Sequence, residues 1–378
     1  MRKQFSDPVV KFFVSFLGLF FIVFVLKELQ HIFIPLIIAY LLFFFFEPLN
    51  DFFKSKKIPV TIIIFIDLFL IISIFYGVSK VILDRLVDLS DKFPIYEDKL
   101  NHIISSSAVS LGLKNRLLTH FNISKILQSL DIGVLASGVF SSTMTVVVAM
   151  LLVLFFFIFI NTGHDKIIEA IRMRYVEKGV KSSIKKIKKE RKENITERIG
   201  VYDADYETMT IQREIKLKKT IKDITEQVQK YVVTKLLISL SVGIIVGFIL
   251  WLFKIEFFII WATLAALLNF IPNVGSVIAV ILPALMALVQ YESFGYALLL
   301  TGVIIVVQNI IGNIIEPKIF GDRLGLNPLV ILISLLIWGY IWGIVGMFLA
   351  VPLTAIGKII MSNSNSKNLR FITHLMGN

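Results

Sequence analysis

Gln308, Asn309, Asn313 and Glu316 close an otherwise apolar helical run, and Pro317 is expected to stop the helix directly after them. Asn309, Asn313 and Glu316 stand at i, i+4 and i+7, so on one helix they share a face, with Gln308 at its border. Amides and a carboxylate at the end of an apolar helix are costly unless something partners or uses them. Two uses fit: a lining that hydrogen-bonds a polar solute, or a cation or proton carrier centred on Glu316. The structural alternative is hydrogen bonding between helices, with Glu316 capped by Lys318 or Arg323. A second group, Asn269 and Asn273, flanks Pro272 in the sequence NFIPNVGS. Proline removes a backbone donor, and unwound backbone at membrane depth persists only where protein or water satisfies it. These two amides are therefore either solute or ion contacts or the tip of a purely structural hairpin. Asp67, the one carboxylate deep in an early apolar run, reads as a proton relay or as a helix-packing partner.

Other chemistries find no residues to carry them. The five histidines (His31, His102, His120, His164 and His374) are scattered without metal-ligand spacing, and there is no cysteine. Neither a phosphate-cradling Gly-x-x-x-x-Gly-Lys-Ser/Thr loop nor a Gly-x-Ser-x-Gly elbow occurs. The expectation is a protein that is not an enzyme and takes no metal or cofactor.

The elements that must position these residues are membrane helices. Of 378 residues, 56% are hydrophobic and 17% charged, a balance that places the chain among integral membrane proteins of all-α class. The net charge of +12 comes from basic loops, as the positive-inside rule requires, and not from a basic stripe with interleaved aromatics, so nucleic acid is not an expected partner.

Residues 1–79 hold three apolar runs, about 12–26, 32–46 (ending at Glu47-Pro48) and 59–78, the first an uncleaved span. Residues 80–140 read as amphipathic helices with Pro94 and Ser105-Ser106-Ser107 as breaks; their seven Lys/Arg nearly balance six Asp/Glu. A fourth span occupies 141–161. Residues 162–230 form a charged helical arm, with 18 Lys/Arg against 12 Asp/Glu and a loop expected near Gly200 and VYDADYETMT. The charge asymmetry puts this arm, the Lys54–Lys57 turn, both termini and the tail 362–378 in the cytoplasm, and 80–140 outside. An apolar face on 80–140 also points to a homo-oligomer.

The region 231–361 has its own regularity. One span, with Ser239, Gly243 and Gly247 as a small-residue face, precedes two short apolar stretches, 257–270 and 277–289, which meet at Pro272–Gly275. Another span, 298–315, precedes the long run 329–361, interrupted at Gly339-Tyr340-Ile341-Trp342-Gly343 and carrying Pro352. Stretches of about 14 residues reach roughly 21 Å as helix, short of a hydrocarbon core of about 30 Å. They suit re-entrant hairpins or broken helices, about eight membrane segments in all, and the doubled order suggests an inverted repeat around a central site. Gly275, Gly339 and Gly343 then serve as close-packing or hinge positions. Pro317, Gly321, Gly325 and Pro328 shape the link between the second span and the second broken pair.

The Pro-x-Val-Gly turn at Pro272–Gly275, the Glu316-Pro317 to Gly325-Leu326-x-Pro328 link and the Gly343-x-x-Gly346 to Val351-Pro352 ending together resemble the autoinducer-2 exporter family of bacterial membrane proteins. The likeness is strongest over 231–360 and consistent in layout before it. It implies about eight membrane segments in the bacterial inner membrane, cytoplasmic termini and ATP-independent transport, either export of the quorum-sensing signal autoinducer-2 or sodium(lithium)/proton antiport. A non-transporting scaffold is the remaining reading. The site is expected among the Pro272 hairpin, the 308–316 face and the broken 329–361 segment.

Overall fold

A computed structural model describes residues 8–110, 132–180, 199–272, 274–320, 326–363 and 366–377. Among these residues the chain is helical and has no strand. In chain order the helices are α1 (Pro8–Glu28), α2 (Gln30–Ser55), α3 (Val60–Ser110), α4 (Ile132–Arg172), α5 (Ile199–Leu252), α6 (Phe258–Leu268), α7 (Val274–Tyr291), α8 (Phe294–Ile310), α9 (Glu316–Phe320), α10 (Pro328–Ser362) and α11 (Lys367–Leu375). Two π-helical turns, Met173–Lys178 and Ile311–Ile315, follow α4 and α8. Seven stretches among the described residues are long and apolar enough to cross a bilayer: Gln30–Ser55, Val60–Arg85, Met144–Glu177, Tyr206–Leu252, Val274–Tyr291, Phe294–Ile315 and Pro328–Ser362. Their outward side chains, such as Ile244 at 72% and Leu298 at 74% exposure, need hydrocarbon around them. The protein is an all-α integral membrane protein.

Several sequence breaks are absorbed into helix. α2 runs through Pro35 and Pro48, so Glu47-Pro48 does not end it. α3 continues through Pro94, and Ser105 and Ser106 turn their hydroxyls onto the carbonyls of His102 and Ile103. Gly200 and the VYDADYETMT stretch fall within α5 and form no loop. α9 spans Pro317 directly after a π-helical turn, so this proline does not terminate the helix either. At each proline, one lost backbone bond is outweighed by those on either side.

The chain forms two compact units, Met1–Val60, Leu151–Val232 and Arg323–Asn378 in the first, Thr61–Met150 and Val233–Asp322 in the second. In the first unit α10 is a hairpin. Trp342 (φ −127°, ψ 16°) and Gly343 (φ 61°, ψ −141°) leave helical geometry, and Gly343 adopts a conformation in which a Cβ is strained. The two limbs then lie side by side: the Ser334 hydroxyl donates to the Ala350 carbonyl at 3.1 Å and also meets the Thr354 hydroxyl. Any Cβ at Gly346 would strike the carbonyl of Trp338. The first limb, 328–341, is about 21 Å long, too short to cross a core of about 30 Å. The tip is fixed by Trp342, whose indole donates to the Leu26 carbonyl at 2.8 Å, and by Lys27 over the Tyr340 ring at 4.2 Å. At the open end, Asn327 caps α10, its backbone N–H donates to the Met376 carbonyl, and Lys358 donates to the Gly377 carbonyl.

In the second unit α6 and α7 make the other hairpin. α6 extends only about 16 Å. Gly275 at the tip lies so close to the Leu268 carbonyl that a Cβ there would overlap it. The small-residue face foreseen on α5 meets α6 directly. Gly243 faces Ala266 and Ala262, Gly247 faces Ala262, and at the deep end Ser239 accepts from the Asn269 amide at 3.0 Å. The order of span, hairpin, span, hairpin is thus present along the chain.

α3 is 51 residues long, about 76 Å, so the part after its span Val60–Arg85 projects beyond the hydrocarbon. That part grips the base of the α6–α7 hairpin. Lys92 and the Tyr96 hydroxyl both donate to Glu256, at 2.6 and 2.5 Å, and Lys99 donates to the Gln290 carbonyl at 2.9 Å. Lys92 and then Tyr96 hold the Glu256 carboxyl below its ordinary range, and burial together with Glu256 pushes the Tyr96 phenol up. A carboxyl with a lowered folded value adds stability above its unfolded value of 4.5 and loses it as pH falls through the folded value. Thermal melting of Glu256→Gln should therefore match wild type in acid and fall slightly below it at neutral pH. The gap stays small because an exposed pair contributes only about 0–1 kcal/mol.

Candidate functional site

The second unit contains a cavity of about 600 Å3 formed by α5, the α6–α7 tip and α8 with the turn and helix that follow it. Its polar lining is Lys235, Asn269, Ser276, Thr301, Gln308, Asn309, Asn313 and Glu316, and Ile271, Pro272, Val277, Val280, Ile281, Ile305 and Gly312 complete the wall. Five of the six residues expected from the sequence to contact solute or ion thus border one space. The sixth, Asn273, lies outside the described residues, as do Gly321 and Gly325 of the link. Asp67 is fully buried in α3 and is not part of this lining. Gly339, Gly343, Pro328 and Pro352 belong to the α10 hairpin of the first unit and are not among the lining residues.

The helix face bearing the amides is remodelled by the π-helical turn Ile311–Ile315, a form often found at functional sites because it adds a residue and re-aims the next side chains. Asn313 donates to the Asn309 side-chain carbonyl at 2.8 Å, and the Asn309 amide donates to the Ile305 carbonyl at 2.9 Å. The two amides are therefore ordered as a relay along the wall. Gln308, 8% exposed, has an amide nitrogen with no hydrogen-bond partner among the described residues, although it borders the cavity. A buried unpaired donor of this kind costs about 1–3 kcal/mol and marks a place where a bound group can accept.

Glu316 is neither free nor capped by Lys318. Its carboxylate accepts from the Lys235 ammonium at 2.5 Å; Lys235 is 2% exposed and Glu316 22%. These are the only ionisable residues among the described lining, so the wall carries no net formal charge. Lys235 was missed by reasoning from the sequence. Its signal was available: a lone lysine three residues into the apolar run that begins at Val232, where a charge needs a partner. Thr301 and Ser276 carried no such signal, because hydroxyls are common in membrane helices; Thr301 also spends its proton on the Ala297 carbonyl.

Comparison with known proteins gives a consistent result. The chain matches the family described as AI-2E family transporter over residues 12–200 and 206–366. A protein of Borreliella burgdorferi is 28% identical over 338 residues, covering 89% of this chain and 83% of that one. YhhT of Escherichia coli (strain K12) is 42% identical over 137 residues, 36% of this chain and 39% of YhhT. The AI-2 transport protein TqsA of the same strain is 39% identical over 152 residues, 40% of this chain and 44% of TqsA. The matched stretches thus span well under half the length of the two E. coli relatives.

Proposed function

The chain belongs to the AI-2E family of membrane transporters, and on that premise we propose that the second-unit cavity carries a small, neutral, polar solute across the bacterial inner membrane without ATP, with autoinducer-2 as the type substrate. The carrying observation is the lining itself: a neutralised Lys235–Glu316 pair, ordered Asn309 and Asn313 amides, and the unpaired Gln308 donor around one cavity. A charged solute would meet no uncompensated partner there, whereas hydroxyl and carbonyl oxygens can accept from Gln308 and exchange bonds with the amides. TqsA, which resembles part of this chain, is named an AI-2 transport protein. Amides gathered beside broken helices have little use in a scaffold. The charge asymmetry supports cytoplasmic termini.

The second reading, sodium(lithium)/proton antiport, is favoured by one observation, a carboxylate facing the cavity at Glu316. Proteoliposomes separate the two. Vesicles holding pure protein and loaded with autoinducer-2 should lose it faster than equally loaded protein-free vesicles, and Asn309→Leu with Asn313→Leu should slow that loss by about tenfold or more, as for two hydrogen bonds at about 1 kcal/mol each. Pulses of sodium or lithium should leave an internal pH dye unchanged. Proton movement triggered by either cation, and lost in Glu316→Gln, would instead establish antiport.

A further inference from the structure

Lys235 and Glu316 come from different elements, α5 and α9, and meet at 2.5 Å on the cavity wall. The two are unequally placed. Both border the cavity, but the ammonium is buried at 2% exposure while the carboxylate is the more open member at 22%. A carboxylate in this position, with the Asn313 and Gln308 amides lining the same cavity, is an oxygen-rich place that would attract an alkali cation if nothing else neutralised it. Building on the reading that this cavity is the transport site, we propose that Lys235 is a tethered counter-ion that occupies the alkali-cation position at Glu316. It thereby makes the site independent of sodium or lithium and is the residue that selects neutral-solute transport over cation exchange.

The charge balance supports this assignment. Breaking a buried pair by removing one partner leaves the other charge uncompensated, and the surroundings must then supply a new counter-charge. With Lys235 removed, the space vacated beside Glu316 adjoins the cavity, so a small cation has a route to it. With Lys235 present the ammonium is attached to α5 and cannot leave, which gives it an effective concentration that free sodium cannot match. The pair also requires no ion to enter or leave with the solute. Lys235 is thus a specificity-determining residue that acts through Glu316.

The test is thermal melting of the purified full-length protein in detergent at constant pH and ionic strength, comparing sodium or lithium chloride with choline chloride. Wild type should melt at the same temperature in all three salts. Lys235→Met should gain several degrees in sodium or lithium over choline, since a ligand that binds the folded state raises its melting point. The gain should vanish in Lys235→Met with Glu316→Gln. Two results would overturn the proposal: a wild-type protein stabilised by sodium or lithium in a manner lost in Glu316→Gln, or a folded Lys235→Met protein indifferent to both cations. Should Lys235→Met not fold, Lys235→Gln takes its place, and the wild-type comparison stands without either. A failure of the cavity's transport role shows separately, as absent autoinducer-2 flux from wild-type vesicles.

Discussion

Gly275→Val should prevent the α6–α7 hairpin from closing and abolish transport. A side chain at this position would overlap the backbone carbonyl of Leu268 and crowd the backbone nitrogen of Asn269, and neither is a flexible side-chain end that can swing away. The tip backbone must therefore move, at a cost of about 1–3 kcal/mol or more for overpacking. That movement shifts Asn269 away from Ser239 and moves Pro272, Ile271 and Ser276 on the cavity wall. Even Gly275→Ala should lose most of the activity, because the clash begins at the Cβ. Flux in proteoliposomes and melting in detergent read the two consequences. A Gly275→Val protein with wild-type flux would mean that the tip does not shape the solute path.

The second large effect concerns Glu316. Glu316→Gln should destabilise the folded protein by about 3–5 kcal/mol, because Lys235 would be left buried with no compensating charge. The reverse change is milder. Lys235→Met leaves a carboxylate that reaches cavity water, so about 1–3 kcal/mol is expected. Lys235→Met combined with Glu316→Gln removes both charges and should recover most of the loss, giving a coupling of a few kcal/mol in a double-mutant cycle. Denaturation in mild detergent measures all three. Equal, small effects in both single variants would show that the pair contributes nothing net, as exposed pairs often do.

How much of this was legible in the sequence follows from what each residue must satisfy. The spans were readable because long apolar runs have no other place to go, and the two hairpins because 257–289 and 329–361 carry Pro or Gly interruptions at lengths that do not fit a single crossing. The small face Ser239–Gly243–Gly247 announced its close neighbour, although not that Ala262, Ala266 and Asn269 would supply it. The amides at 308, 309 and 313 were legible as a polar face. The π-helical turn that carries Asn313 was not, since IGNII has no composition of its own to distinguish it from α-helix. Nor was the partner of Glu316. Periodicity places nearby residues such as Lys318 on a face, but Lys235 lies 81 positions away, and only the packing of α5 joins them. Pro94 and Pro317 misled for a related reason: a proline weakens a helix locally, while the surrounding packing and hydrogen bonds decide whether it ends.

The central claim is that solute passes through the cavity bordered by Asn309. The chain has no native cysteine, so one thiol can be placed there without background. Asn309→Cys protein, reconstituted with autoinducer-2 inside the vesicles, should retain measurable efflux. It should then be blocked by a small polar thiol reagent and be protected from that reagent by excess autoinducer-2, while wild type ignores the reagent. Full labelling of the introduced thiol with efflux unchanged would contradict the account, since a blocked cavity could not then be the path.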